Sequence, residues 1–243
     1  MKALDHILVA KWARLGVMFN VPPWRQTPDL EGLLIETVSQ IPDNPRLFVM
    51  TATWLGRYSP LVARHRLAVM AAELPDPASA VLGLLLDTAA EITPAASMEM
   101  VRARCRPAPA PMPLFTADRT TPALRAPARS AASTISKRWN VWAEPVDSKA
   151  DALRPADWVM QHNCSMKVRA VFRGTLRASV LACLEHHVPA GASEAELARL
   201  CGVTRKALHE ALDHLELCDM IRRSRFGRSY RVSLSHPGLR IAG

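Results

Sequence analysis

The sequence has no run of about 18 uninterrupted apolar residues, the length a helix needs to cross a bilayer. Its best stretch, Ala78 to Ala90, is short and carries Asp87. A secretory pattern is also missing, because Lys2 and Asp5 precede a helix-periodic segment instead of a continuous apolar block. The expectation is a cytoplasmic protein with no membrane partner. Cysteine is scarce: Cys105, Cys164, Cys183, Cys201 and Cys218 are odd in number, and none lies within three residues of another. That spacing argues against a disulfide framework and a zinc ribbon, and predicts buried or half-buried thiols, with a redox switch as the alternative. Aromatic residues are only 5% of the chain, so strand formers are few, whereas Ala, Leu and Arg are abundant and favour helix.

Catalytic signatures are lacking as well. There is no Gly-rich phosphate loop, no G-x-S-x-G elbow and no H-E-x-x-H. His186 and His187 are adjacent, so on a helix they point about 100° apart and do not easily share one metal. No enzyme activity and no cofactor are expected.

What is present is positive charge, unevenly spread. The 243 residues carry a net charge of +9. Residues 1–101 are slightly acidic. Residues 102–139 hold eight basic side chains against one acidic, and residues 165–243 hold 13 against seven. Clustered cations displace counterions from phosphates and supply sequence-independent affinity for nucleic acid. A membrane surface also attracts cations, but neither basic region shows the strongly amphipathic helix that such a role favours.

Proline divides the first third into helix-length pieces. Thr27-Pro28-Asp29 is a start signal for a helix running to about Gln40, Pro42-Asp-Asn-Pro45 is a turn, and helices follow over Arg46–Tyr58 and Ala78–Glu91. Residues 1–105 therefore read as a helical domain. Residues 106–134, with Pro107, Pro109, Pro111 and Pro113 alternating among small residues, read as an extended linker. Residues 135–243 read as a final domain with an N-terminal extension. In that extension Trp139, Trp142 and Trp158 are expected to pack the linker's end onto the last domain or onto a partner subunit, base stacking on single strands being the alternative.

The last domain is the most informative part. Ser193-Glu-Ala-Glu196 is a capping box, in which serine and the second glutamate satisfy each other's orphan backbone donors. Leu197, Ala198 and Leu200 follow, and Gly202 breaks the helix where a positive φ is needed. Thr204 is the expected N-cap of the next helix, whose inner face is Leu208, Ala211, Leu212 and Leu215 at helical spacing. Arg205, Lys206 and His209 fall on its outer face. Residues 221–234 then read as a hairpin with Gly227 at its tip, with Tyr230, Val232 and Leu234 on one face and Arg231 on the other.

The run from Ser193 to Arg223 resembles the winged helix-turn-helix superfamily of bacterial transcription regulators. The run from Met166 to Val180 looks like the lead-in helix of some members. The resemblance covers about the last third of the chain and implies a winged helix with a small two-stranded wing; with the helical N-terminal domain read over residues 1–105, the whole is expected to be mainly α. The resemblance also implies double-stranded DNA as partner. Helix 204–217 would read the major groove through Arg205, Lys206 and His209, and Thr204 with the helix's first amides would hold a phosphate. Arg222, Arg223, Arg225, Arg228 and Arg231 of the wing 221–234 would meet the backbone. Glu210 and Asp213 repel phosphates, which favours shallow insertion by the first turn. A homodimer, or a protein partner held through residues 1–105, is expected, because one such module buries limited surface. Two other readings remain open. One is a non-enzymatic adaptor whose winged helix docks protein; the other is an enzyme whose site in the helical domain leaves no local signature.

Overall fold

In a computed structural model the chain is described over residues 6–227 and 229–236. It is mainly helical, with a small antiparallel sheet near the C-terminus. The helices are α1 (His6–Arg14), α2 (Leu30–Gln40), α3 (Pro45–Tyr58), α4 (Arg64–Ala72), α5 (Ala78–Ile92) and α6 (Glu99–Arg102), then α7 (Thr116–Thr120), α8 (Pro122–Ala131), α9 (Thr134–Arg138), α10 (Ala156–His162), α11 (Cys164–Phe172), α12 (Leu176–Ala182), α13 (Glu194–Cys201) and α14 (Arg205–Leu217). The strands are β1 (Met112–Pro113), β2 (Val141–Trp142), β3 (Ala192–Ser193), β4 (Ile221–Phe226) and β5 (Ser229–Leu234). No helix among the described residues is long and apolar enough to cross a membrane.

The proline punctuation works as expected. Asp29 caps α2, its carboxylate accepting the Gly32 N–H at 3.2 Å, and Pro45 opens α3. α5 is buried on nearly every side and forms the centre of the larger of two hydrophobic clusters, which runs from Leu8 to Met166. There Trp12 meets Trp54 edge-on, with ring centroids 5.5 Å apart. A second cluster begins at Val168 and holds the inner faces of α12, α13, α14, β4 and β5.

Residues 106–134 are not a free linker. The prolines alternate, so the residues between them keep their N–H groups. Ala108 donates to the Trp139 carbonyl, Met112 to that of Asn140 and Leu114 to that of Trp142, at 2.8–3.1 Å, and the segment lies parallel to residues 139–142. Pro107, Pro109 and Pro111 stay exposed while Ala108 and Leu114 enter the core. Over Pro107–Pro109 the alternation sends proline out and Ala108 in, and it ends at Pro113, which is buried beside Leu114. The exposed α8 follows, with Pro122 in its first turn.

Residues 135–166, grouped by the sequence with the last domain, pack instead into the first cluster. Trp139 lies against Gly83 of α5, where a Cβ would sit 2.5 Å from the indole, and its Nε1 donates to Asp87 at 2.9 Å. Trp158 stacks on His162, with centroids 3.9 Å apart. The tryptophans serve the N-terminal body, not the C-terminal one. α11 belongs to both, with Met166 in the first cluster and Val168 in the second.

Candidate nucleic-acid interface

The C-terminal unit is built on local signals. Ser193 accepts from the Glu196 N–H at 3.2 Å, and Thr204 from the Ala207 N–H at 3.3 Å, so both helices start where their hydroxyls are placed. Gly202 closes α13 at φ +62°. Leu208, Ala211, Leu212 and Leu215 are buried, which turns the opposite side of α14 to solvent. β4 and β5 form the expected hairpin around Gly227. The sheet has three strands instead of two, because Ala192–Ser193 pairs with Val232 and Arg231 of β5. A two-residue strand leaves no periodicity to read. The sheet order is β3-β5-β4.

The N-terminal body covers one side of this unit only. α12 and α13 both pack on α4, and a Cβ on Gly202 would meet Val69 at 2.9 Å. The first turn of α14 and the hairpin remain exposed.

The expected contact residues separate into three groups. Thr204, Arg205, Lys206 and His209 sit together, exposed, at the start of α14. Arg205 and Lys206 have no carboxylate within ion-pair distance among the described residues. His209 stands between Glu194 and Asp213, at 3.9 and 3.6 Å. The wing arginines divide by strand register. Residues directly opposite share a face, so the pairs Arg223↔Val232 and Arg225↔Tyr230 place Arg223 and Arg225 on the side of the buried Val232. Arg222 and Arg231 lie on the other side, both exposed. Arg228 lies outside the described residues.

Arg223 is not a free cation. Its guanidinium pairs with Glu216, reaches Asp213 at 2.7 Å and Glu194 at 4.0 Å, and its backbone N–H donates to Glu216 at 3.3 Å. The hydrogen bond from Arg223 holds the Glu216 carboxyl below its usual range, and the same bond raises Arg223. This arginine fastens the hairpin to α13 and α14 and neutralises carboxylates that would repel a phosphate. Its partners escaped the sequence reading because each is supplied from another element once the hairpin folds back.

Among the described residues no cluster of three His, Cys, Asp or Glu side chains could hold a metal. No protein-family model matches the chain, and comparison with curated proteins and with solved structures gives no significant match.

Proposed function

We propose that α12 to β5 form a winged helix-turn-helix that binds double-stranded DNA, and that the protein is a transcriptional regulator acting in the cytoplasm. The observation that carries this reading is the first turn of α14: a capped, exposed helix start with Arg205 and Lys206 side by side, next to a hairpin that exposes Arg225 on one face and Arg222 and Arg231 on the other. Free amides and the positive end of the helix dipole favour a phosphate there, and Arg205 can meet guanine in a bidentate manner. Glu210 stands further along the same helix, while Asp213 is paired with Arg223, so insertion stops after about one turn. On this reading Thr204, Arg205, Lys206 and His209 face the groove, Arg222, Arg225, Arg228 and Arg231 hold the backbone, and Arg223 braces the wing. Residues 1–105 would join two copies on paired half-sites or hold another protein.

The test is a mobility shift with random duplex over a salt range. Binding whose affinity falls by about 0.9 log unit per phosphate contact for each log unit of salt supports the reading; no binding at low salt overturns it. A second reading, an adaptor that docks protein, is favoured by the exposed Leu217 at 87%, Phe226 at 70% and Tyr230 at 54%. Absence of DNA binding at low salt selects it.

A further inference from the structure

Residues 142–149, with Phe115, Asp118 and Ala128, form a half-open cavity of about 390 Å3 against α3. That volume lies within the range of small-molecule sites, about 300–1,000 Å3. Its walls are aromatic. Phe48 of α3 meets Phe115 edge-on, with centroids 6.4 Å apart, and Trp142 of β2 stands on another side. Arg129 already lies 5.7 Å from the Trp142 centroid, but it lines the neighbouring groove and not this cavity.

The charge around these rings is one-sided. Asp118, Glu144 and Asp147 line the cavity, and Lys149 is its only cationic residue. None of the three carboxylates has an ion-pair partner among the described residues. An anion would be repelled, and since Glu144 and Asp147 stay exposed, a neutral guest gains no charge attraction from them. A compact metal ion does not fit the site either, since these carboxylates do not converge on a common point. What complements separated carboxylates and aromatic faces together is a positive group carried on an apolar body, which gains cation–π attraction as well as ion pairing.

We propose that this cavity binds a small organic cation, an amine on an aromatic or aliphatic body. The site stands independently of DNA binding, since all its walls belong to residues 45–149.

The experiment titrates the full chain by calorimetry with tryptamine, phenethylamine and cadaverine, each beside its alcohol analogue. At least one amine is expected to bind saturably with Kd below about 1 mM, and its alcohol at least tenfold more weakly. The indole N–H resonance of Trp142, assigned with Trp142→Phe, should shift on addition of that amine. Asp118→Asn with Asp147→Asn should erase the preference for amine over alcohol, while Lys149→Met, which removes the competing ammonium, should tighten amine binding. Circular dichroism checks that the variants are folded, and Lys149→Met keeps the test decisive if the double variant is not. No binding by any amine, alcohols that match their amines, or a preference indifferent to both variants would overturn the proposal.

Discussion

Arg169 of α11 donates to the fully buried carboxylate of Glu31 in α2 at 2.7 Å, across 138 residues of chain. Glu31 also accepts from Arg66 at 3.0 Å and from the Ala63 N–H at 2.8 Å, and Arg66 in turn holds Asp29 with two bonds. Two carboxylates and two guanidiniums thus balance inside the protein. α11 carries this contact on one side and Val168 of the second cluster on the other, so the ion pair holds the C-terminal unit on the N-terminal body.

The two ends of that pair should not be equivalent. Glu31 satisfies three donors, whereas Nε and Nη2 of Arg169 are buried without hydrogen-bond partners among the described residues. Glu31→Gln leaves the buried Arg169 without a counter-charge, Arg66 keeping Asp29, and is expected to cost about 3–5 kcal/mol. Arg169→Met leaves Glu31 still paired with Arg66 and should cost distinctly less. Urea unfolding followed by circular dichroism measures both; equal losses would mean that Arg66 does not carry Glu31.

Asp29 makes the same network sensitive to acid. Burial pushes its carboxyl up, but the hydrogen bond and charge of Arg66, with smaller help from His186 and the Gly32 N–H, hold it down from 3.8 to about 2. The folded value lies below the unfolded one, so the stabilisation is complete above about pH 4 and disappears as pH falls through about 2. It amounts to about 2 kcal/mol. Asp29→Asn should flatten the loss of melting temperature in that window, and a profile that stays parallel to wild type would refute the assignment.

Arg205 and Arg223 should behave oppositely if DNA is the partner. Arg205→Ala is expected to weaken a specific site by about 1–3 kcal/mol while changing stability little. Arg223→Met should lower stability, because Glu194, Asp213 and Glu216 then face one another unneutralised, and should affect salt dependence less than Arg222→Ala or Arg228→Ala. Anisotropy titrations on specific and random duplexes, with melting curves for each variant, separate the effects. Equal losses on both duplexes for Arg205→Ala would remove it from the base-reading set.

Native thiol reactivity offers a simple check of the packing. Cys218 is exposed, Cys105 and Cys164 are half-buried, and Cys183 and Cys201 are buried with sulfurs 3.9 Å apart. Burial also pushes the Cys105 thiol up to about 12, which leaves little thiolate. An aromatic disulfide reagent should therefore titrate Cys218 rapidly and Cys183 and Cys201 only on unfolding. Rapid labelling of the buried pair would show that α12 and α13 do not pack as described.

Gly202 and Gly83 carry different constraints. Gly202→Ala forces a β-carbon into positive φ and towards Val69, at a cost of about 1–2 kcal/mol. Gly83→Ala drives a methyl into the Trp139 ring within a buried helix, which is overpacking and should cost about 1–3 kcal/mol. Melting temperatures of the two variants test this, and an unchanged Gly83→Ala protein would mean that Trp139 lies elsewhere.

The features legible in the sequence were those whose physics closes within a few residues. Ser193 and Thr204 each accept the N–H three residues on, Gly202 ends a helix because glycine takes that φ without a β-carbon penalty, and the spacing of Leu208, Leu212 and Leu215 fixes which side of α14 is buried. Tertiary structure decided the rest. The alternating prolines looked like a spacer until residues 139–142 supplied the carbonyls that accept the N–H groups between them. The wing arginines looked alike until strand register divided them and brought Glu216, Asp213 and Glu194 to Arg223 alone. Hydrogen bonding along a helix and the periodicity of a strand are set by neighbours in the chain. Which carbonyl, carboxylate or ring a side chain meets is set by distances that exist only after the chain has folded.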